Sequence, residues 1–567
     1  MNQGSHRLTR RSFCRQLGAS VPAALVWGAG VGAARGAAPG SGLRADLVVV
    51  GGGLGGCAAA LAAARRGCRV ILTEETDWIG GQLTSQAVPS DENRWIETHG
   101  ASGSYQELRR LIREHYRRHP ELTAAARANP LLNPGNGTVS RLCHEPRAAL
   151  SALHRLLEPW EATGAVRRLE RHRLVSATMS GDRVQAVAVL NLQTGQVLHL
   201  EAPTFVDATE LGDLLPATGA EYVTGSESRA QTGEPHAKDV PLPGNHQAFT
   251  CCFAMEYLAG EDHTLDRPAE YAFWRDYVPA LTPPWSGRLL SLTYSNPRTL
   301  QPHSLGFDPE RGTGLFRYRR ILDRTLFHPG AVRGDLTLVN WPQNDYLLGT
   351  LIDVSPAEAD RHIARAKQLS LSLLYWLQTE APRPDGGTGW KGLRLRPDVV
   401  GTTDGLAKAP YVRESRRIRA LCTVTENHVS RDVRERAAGP GRPSRAERFD
   451  DSVGIGSYAI DLHPTCGGFN YIDFETLPFQ IPLGALLPVR VENLLAGAKN
   501  VGTTHLTNGC YRLHPVEWSI GEAAGALASF SRRRGLPPRA VRERPAELAA
   551  FQAELRADGA RLEWPAL

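Results

Sequence analysis

Asp46-Leu-Val-Val-Val-Gly51-Gly-Gly53-Leu-Gly-Gly56 is the stretch whose reading decides the fold. A short apolar strand runs directly into Gly51-x-Gly53-x-x-Gly56. An Ala-rich helix is predicted over residues 57–66, and a second apolar strand, Arg69-Val-Ile-Leu-Thr, ends on Glu74. Strand, glycines, helix, strand and acid in this order make a β-α-β unit that binds a dinucleotide. Gly51 permits the tight turn, Gly53 lets backbone N–H groups approach a diphosphate, and Gly56 lets the helix pack close on the strand. The helix N-terminus offers partial positive charge to the phosphates, and Glu74 is placed to accept from ribose hydroxyls.

Working outward, the 567 residues are too many for one simple core and predict two to four structural units. Residues 1–38 contain five arginines and no acid; removing them from the net charge of +6 leaves +1. The remainder is nearly neutral, which argues against a nucleic-acid partner. Thr9-Arg10-Arg11-Ser12-Phe13, followed by a Gly/Ala-rich apolar stretch and small residues around Ala34–Ala38, resembles a bacterial twin-arginine signal. It implies the twin-arginine export machinery as a partner and a periplasmic or secreted protein, one folded and loaded before export. No later window is apolar for long enough to predict a stable membrane span. The nine cysteines lack metal-site spacing, so no metal is expected; most should be reduced and buried, with one or two disulfides open to an oxidising compartment.

Further along, Gly80-Gly81-Gln82 is a second place for close backbone approach to a ligand. Helical periodicity covers 105–119, with its arginines expected in solvent, and 145–158. Residues 166–200 read as alternating strands resembling the small β-meander inserted in many dinucleotide-binding domains. Residues 204–207 and 493–497 read as strands returning to the main sheet, 356–380 as an amphipathic helix, 432–448 as a solvated loop and 515–533 as a closing helix. The predicted organisation is a targeting segment (1–38), a cofactor domain in two parts (44–215 and 485–535), a substrate or cap domain (216–484) and a helical tail (536–567).

With these pieces placed, the chain resembles the FAD-dependent oxidoreductases of the glutathione-reductase-like superfold, and more narrowly the FAD-dependent oxidoreductase family found in many bacterial genomes. The resemblance is carried by Val49–Gly56, Glu74–Gln82, Asp207-Ala-Thr, Pro410-Tyr-Val-Arg413-Glu414-Ser-Arg416-Arg417, Asp451–His463, Pro478–Pro482, and Asn493–Gly497 through Arg512 to Gly521-Glu-Ala-Ala-Gly525. It implies an α/β, Rossmann-like FAD-binding domain with an inserted β-meander, a separate α+β substrate domain, and FAD as cofactor. Two departures stand out: Glu210 where relatives usually carry glycine, and the unusual segment 503–511. FAD is favoured over NAD by the Gly80–Gly81 loop, by the returning strand–helix pair around Gly497, Gly521 and Gly525, and by export away from the cytoplasmic NAD pool.

Flavin supplies the redox chemistry, so the protein must orient substrate and move protons. His505 is the candidate proton acceptor and Arg512 the candidate for holding a polar or anionic group; each has a purely structural alternative, and His514 is a weaker candidate. Arg413, Arg416 and Arg417 would share a face if helical, as a clamp or as an ion-paired element with Glu414. Asp461 and His463 would share a strand face as a proton relay or a structural pair, with Tyr458 opposite. Trp341 and Asp345 are candidates for the pocket wall, and His99 for covalent flavin attachment. Hydrolase motifs are missing: there is no Gly-x-Ser-x-Gly, and Pro146 breaks the helix that His144-Glu145 would need.

The function expected is hydride transfer from a small organic substrate, an alcohol or sugar-like carbon, to flavin, with electrons passed to oxygen or another acceptor. A flavin-binding protein without its own turnover, structural or electron-carrying, is the alternative; a redox-neutral isomerase or lyase is a weaker third.

Overall fold

The computed structural model describes residues 42–565, so the predicted targeting segment lies outside the described residues. At its centre is a five-stranded parallel sheet in the order Leu494–Ala496, Thr204–Asp207, Leu47–Val50, Val70–Glu74, Val166–Glu170. Val49 is paired with Leu72 on one side and Val206 on the other. Every residue of Leu47–Val50 is buried, as a parallel strand covered on both faces requires.

The Ala-rich helix spans Leu54–Arg65, starting three residues earlier than its alanines suggest, and is buried from Leu54 to Ala64. Small side chains are needed because the closing helix, His514–Arg534, lies against it. A β-carbon at Gly521 would stand 1.9 Å from the Gly55 carbonyl oxygen, and one at Gly525 would stand 2.0 Å from that of Ala59. Gly521 and Gly525, expected beside the cofactor, stand where two helix backbones meet. At Gly497, expected there too, a β-carbon would meet Val206 Cγ1 at 2.3 Å, so this glycine also seats the returning strand on the sheet.

Residues 172–201 form the antiparallel meander, extended at its edge by Leu43–Arg44 running parallel to Val197–Glu201. A second antiparallel sheet, ordered Arg320–Leu322, Leu336–Val339, Phe253–Tyr257, Leu393–Leu395, carries the helix Pro356–Thr379. That helix starts at Ser355, whose Oγ accepts from the Glu358 N–H at 3.3 Å. Here a separate apolar cluster gathers Trp274, Trp341, Trp390 and Phe316; it draws on residues 248–412 and Tyr471, while Ile418, Val429 and Val453 pack into the main core.

Several local expectations change. On the helix Gly103–Arg117, Arg109 and Arg113 are buried, not solvated: Arg109 pairs with Glu92 at 2.9 Å and both arginines reach Glu97 at 2.6 and 2.7 Å. The 432–448 loop is helical over Arg431–Ala438. Arg413–Arg416 is irregular chain leading to a short strand, Arg417–Ile418, so no helical face exists there. The segment 503–511 holds a helix, His505–Tyr511, begun by Thr504. All eight described cysteines are unpaired, and among the described residues no helix is long and apolar enough to cross a membrane.

The helix contact gives a direct prediction. Gly521→Ala forces the helices apart and should lower unfolding free energy by about 3 kcal/mol. Gly535→Ala, at a helix end with φ +64° and nothing within 4 Å, should lose only about 1 kcal/mol, both read from urea titrations.

Candidate functional site

At the end of Leu47–Val50 the chain turns on Gly51, whose φ of +99° suits glycine alone; a β-carbon there would lie 2.3 Å from the Ala208 carbonyl oxygen. The second glycine pair docks on this turn: the Gly80 N–H donates to the Gly52 carbonyl at 2.7 Å, and a β-carbon at Gly81 would stand 3.0 Å from Gly53 Cα. Among the described residues the N–H groups of Gly53 and Leu54 meet no acceptor, while that of Gly55 donates to Glu517 Oε1 at 3.2 Å. Gly56 lies against the Gly51 carbonyl, drawing the helix onto the strand. The result is a cradle of glycine backbone at a helix N-terminus, suited to an anion and approached by the carboxylates of Glu210 and Glu517.

Glu74 sits at the tip of its strand. Its Oε1 accepts from the Thr76 N–H at 2.8 Å and from the Thr76 hydroxyl at 2.7 Å, and Oε2 would be 3.0 Å from a β-carbon at Gly52. Burial pushes its carboxyl up to about 7, against the Thr76 hydrogen bonds. Glu210, the departure noted in the sequence, lies over the cradle and pairs with the buried Lys499.

Gln82 ties this cradle to a second region. Its amide donates to the Arg512 carbonyl at 3.0 Å and to the Glu517 carboxylate. Arg512, 3% exposed, donates to the Tyr411 hydroxyl at 2.9 Å and to the Asp461 carbonyl at 3.2 Å. Around it lie two further buried ion pairs, Arg413–Asp345 at 2.9 Å and Arg319–Asp91 at 3.2 Å. The Asp91 N–H donates to His514 Nδ1, and the Arg413 guanidinium stands 5.0 Å above the Tyr411 ring. His463 is paired chiefly with Asp345, at 2.6 Å, not with the neighbouring Asp461 at 4.0 Å. Burial opposes ionisation of Asp345, but Arg413 and then His463 outweigh it and hold its carboxyl below the usual range. Burial drives His514 down to about 4, so that ring is neutral at pH 7.

His505 occupies an adjoining cluster. Its Nδ1 meets Glu414 Oε1 at 2.5 Å, and the Gln247 N–H donates to the other Glu414 oxygen. Although Glu414 is buried, which by itself favours the neutral acid, His505 pulls its carboxyl down to about 2. Arg417 stands 3.7 Å from Glu414 and pairs with Glu227 at 2.9 Å; the His505 N–H also donates to Glu227. A carboxylate on Nδ1 orients the imidazole and fixes which ring nitrogen faces away from it.

Of the sequence candidates, the structure brings together Arg512, Arg413, Asp345, Asp461 and His463, and places His505 beside Glu414. Trp341 is buried in the second apolar cluster, Arg416 pairs with Asp213 and Asp353, and Tyr458 lies just before the strand Ile460–Leu462. His99 packs against Trp95 and Trp564, apart from the cradle's partners. Sequence reasoning missed Asp91, Arg319 and Tyr411; only Tyr411, next to the Arg413 run, carried any signal. No group of three or more metal-ligating side chains occurs among the described residues.

A family described as FAD dependent oxidoreductase matches residues 46–555. Among solved structures, the chain is similar to E. coli quinol fumarate reductase FrdA (12% identity, 91% of this chain and 74% of that one, TM-score 0.32). It is also similar to the flavin-dependent monooxygenase PieE (13%, 67% and 52%, TM-score 0.27) and to the myxobacterial chondrochloren halogenase CndH (19%, 39% and 45%, TM-score 0.21). The match spans less than half of the halogenase chain. No curated protein matches.

The raised Glu74 carboxyl makes a testable statement about pH. A carboxyl titrating near 7 when folded and at an ordinary 4.5 when unfolded lends stability that is complete below pH 4.5 and gone once pH passes about 7. Between those limits the wild type should lose up to about 3 kcal/mol relative to Glu74→Gln. Parallel stability–pH curves for the two proteins would refute this.

Proposed function

We propose that this chain, which belongs to the FAD dependent oxidoreductase family, oxidises a small organic substrate at an alcohol or sugar-like carbon and passes the electrons to oxygen or another external acceptor. The observation carrying this reading is the Gln82 bridge, which ties the dinucleotide cradle to the buried cluster around Arg512.

The residues present fit FAD. The Gly51–Gly53 turn, with the N–H groups of Gly53 and Leu54, would hold the diphosphate, and Glu74 the adenosine ribose. Beyond the bridge, buried polar atoms of Gln86, Asn508 Oδ1 and Arg512 Nε lack protein partners and would meet the polar edges of the ring system. Bound FAD supplies a two-electron acceptor. Arg512, braced by Tyr411, binds a substrate oxygen and orients the carbon. His505 accepts the hydroxyl proton, and Glu414 stabilises the imidazolium that forms. The Arg413–Asp345–His463 set holds Tyr411 and the cluster in place. The finer arrangement is taken to be glutathione-reductase-like. Export through the twin-arginine machinery to the periplasm or beyond is proposed on the strength of Thr9–Phe13.

An anaerobic screen of alcohols, sugars and hydroxy acids should find one that bleaches the flavin absorbance; failure of every class would sink the reading. With that substrate, His505→Ala should lower kcat by roughly 10²- to 10⁴-fold. Arg512→Ala should chiefly raise KM, while Arg512→Lys restores little because Lys cannot reproduce the forked contacts.

A further inference from the structure

The Glu210 carboxylate lies where the cradle should be most open. A β-carbon at Gly53 would stand 2.9 Å from Glu210 Oε1, and one at Gly81 only 2.3 Å from it. That oxygen is buried and has no hydrogen-bond partner, an expensive arrangement for a carboxylate. The other oxygen pairs with Lys499, whose side chain is 1% exposed. The placement follows from the backbone. The Asp207 carboxylate accepts from the Thr209 N–H and hydroxyl, the Asp213 N–H donates to Thr209 Oγ1, and this turn leaves Glu210 directed at the glycines. Lys499 is anchored independently, its carbonyl accepting from the Asn508 amide.

A helix N-terminus ringed by glycines favours an anion, and Glu210 is an anion supplied by the chain itself. A diphosphate carries more charge than one carboxylate and brings several acceptor oxygens for the N–H groups of Gly53 and Leu54. Both anions on one face repel, and only the carboxylate sits on a flexible stem that can withdraw.

We infer that Glu210 and the FAD diphosphate compete for the same cradle, and that Lys499 exchanges its Glu210 partner for the diphosphate when FAD binds. Glu210 thus acts as an internal stand-in for the cofactor's anion. It keeps the buried ammonium paired, and it weakens FAD binding by the amount needed to displace it. This rests on FAD occupying the Gly51 cradle and adds a role for two residues there, neither of them assigned to substrate binding or proton transfer.

The test is FAD release from the purified full-length holoprotein, followed by recovery of free-flavin fluorescence on dilution to give Kd. Glu210→Gln, which keeps shape and removes charge, should bind FAD about tenfold tighter, a change of about 1.4 kcal/mol. Lys499→Met should bind at least tenfold more weakly. Glu210→Asp, whose shorter stem withdraws from Gly53, should tighten binding while preserving the pair, and serves if the glutamine variant misfolds. A wild type that carries flavin, with Glu210→Gln and Glu210→Asp unchanged or weakened, overturns the competition while leaving the cofactor assignment intact. A wild type that neither holds nor takes up FAD overturns both.

Discussion

Everything in this molecule depends on backbone meeting backbone at glycine. The Ala-rich helix can touch both the turn that precedes it and the closing helix only because Gly55, Gly56 and Gly521 present no side chain, with β-carbon approaches of 1.9 to 2.0 Å that no other residue tolerates. The same closeness lets Ala208 pass behind Gly51 and brings Gly80 onto Gly52. Packing and binding are thus one constraint: the contacts that assemble the parallel sheet also expose the helix N-terminus at its edge.

The second theme is charge in the interior held against opposite charge. Arg319, Arg413 and Arg512 face Asp91, Asp345 and Asp461, and His505 faces Glu414. Such pairs add little net stability, because desolvation offsets attraction, but they fix geometry and make each partner intolerant of removal.

The glycine turn, the flanking strands and the closing helix were legible because each is a local pattern with a physical cause: three glycines, an apolar run, a 3.6-residue period. The polar cluster was legible only in fragments. Its members come from residues 91, 319, 345, 411–413, 461–463 and 512–514, and no spacing rule joins positions brought together by tertiary folding. The four-residue spacing of Gly521 and Gly525 on one helix face also carries the helix–helix approach seen at both positions. Arg109 and Arg113 read as solvated because charge usually is; Glu92 and Glu97, in the loop before the helix, reverse that. Glu210 was visible as a departure, but its position over the cradle was not.

The hydrogen bond from Gly55 to Glu517 joins residues 462 positions apart. Sequence separation of that size has a temporal meaning: while the ribosome is still making the middle of the chain, the first β-α-β unit lacks the closing helix that covers one face of its apolar helix. One face of this helix stays uncovered until the last segment emerges, and uncovered apolar surface on a growing chain favours aggregation.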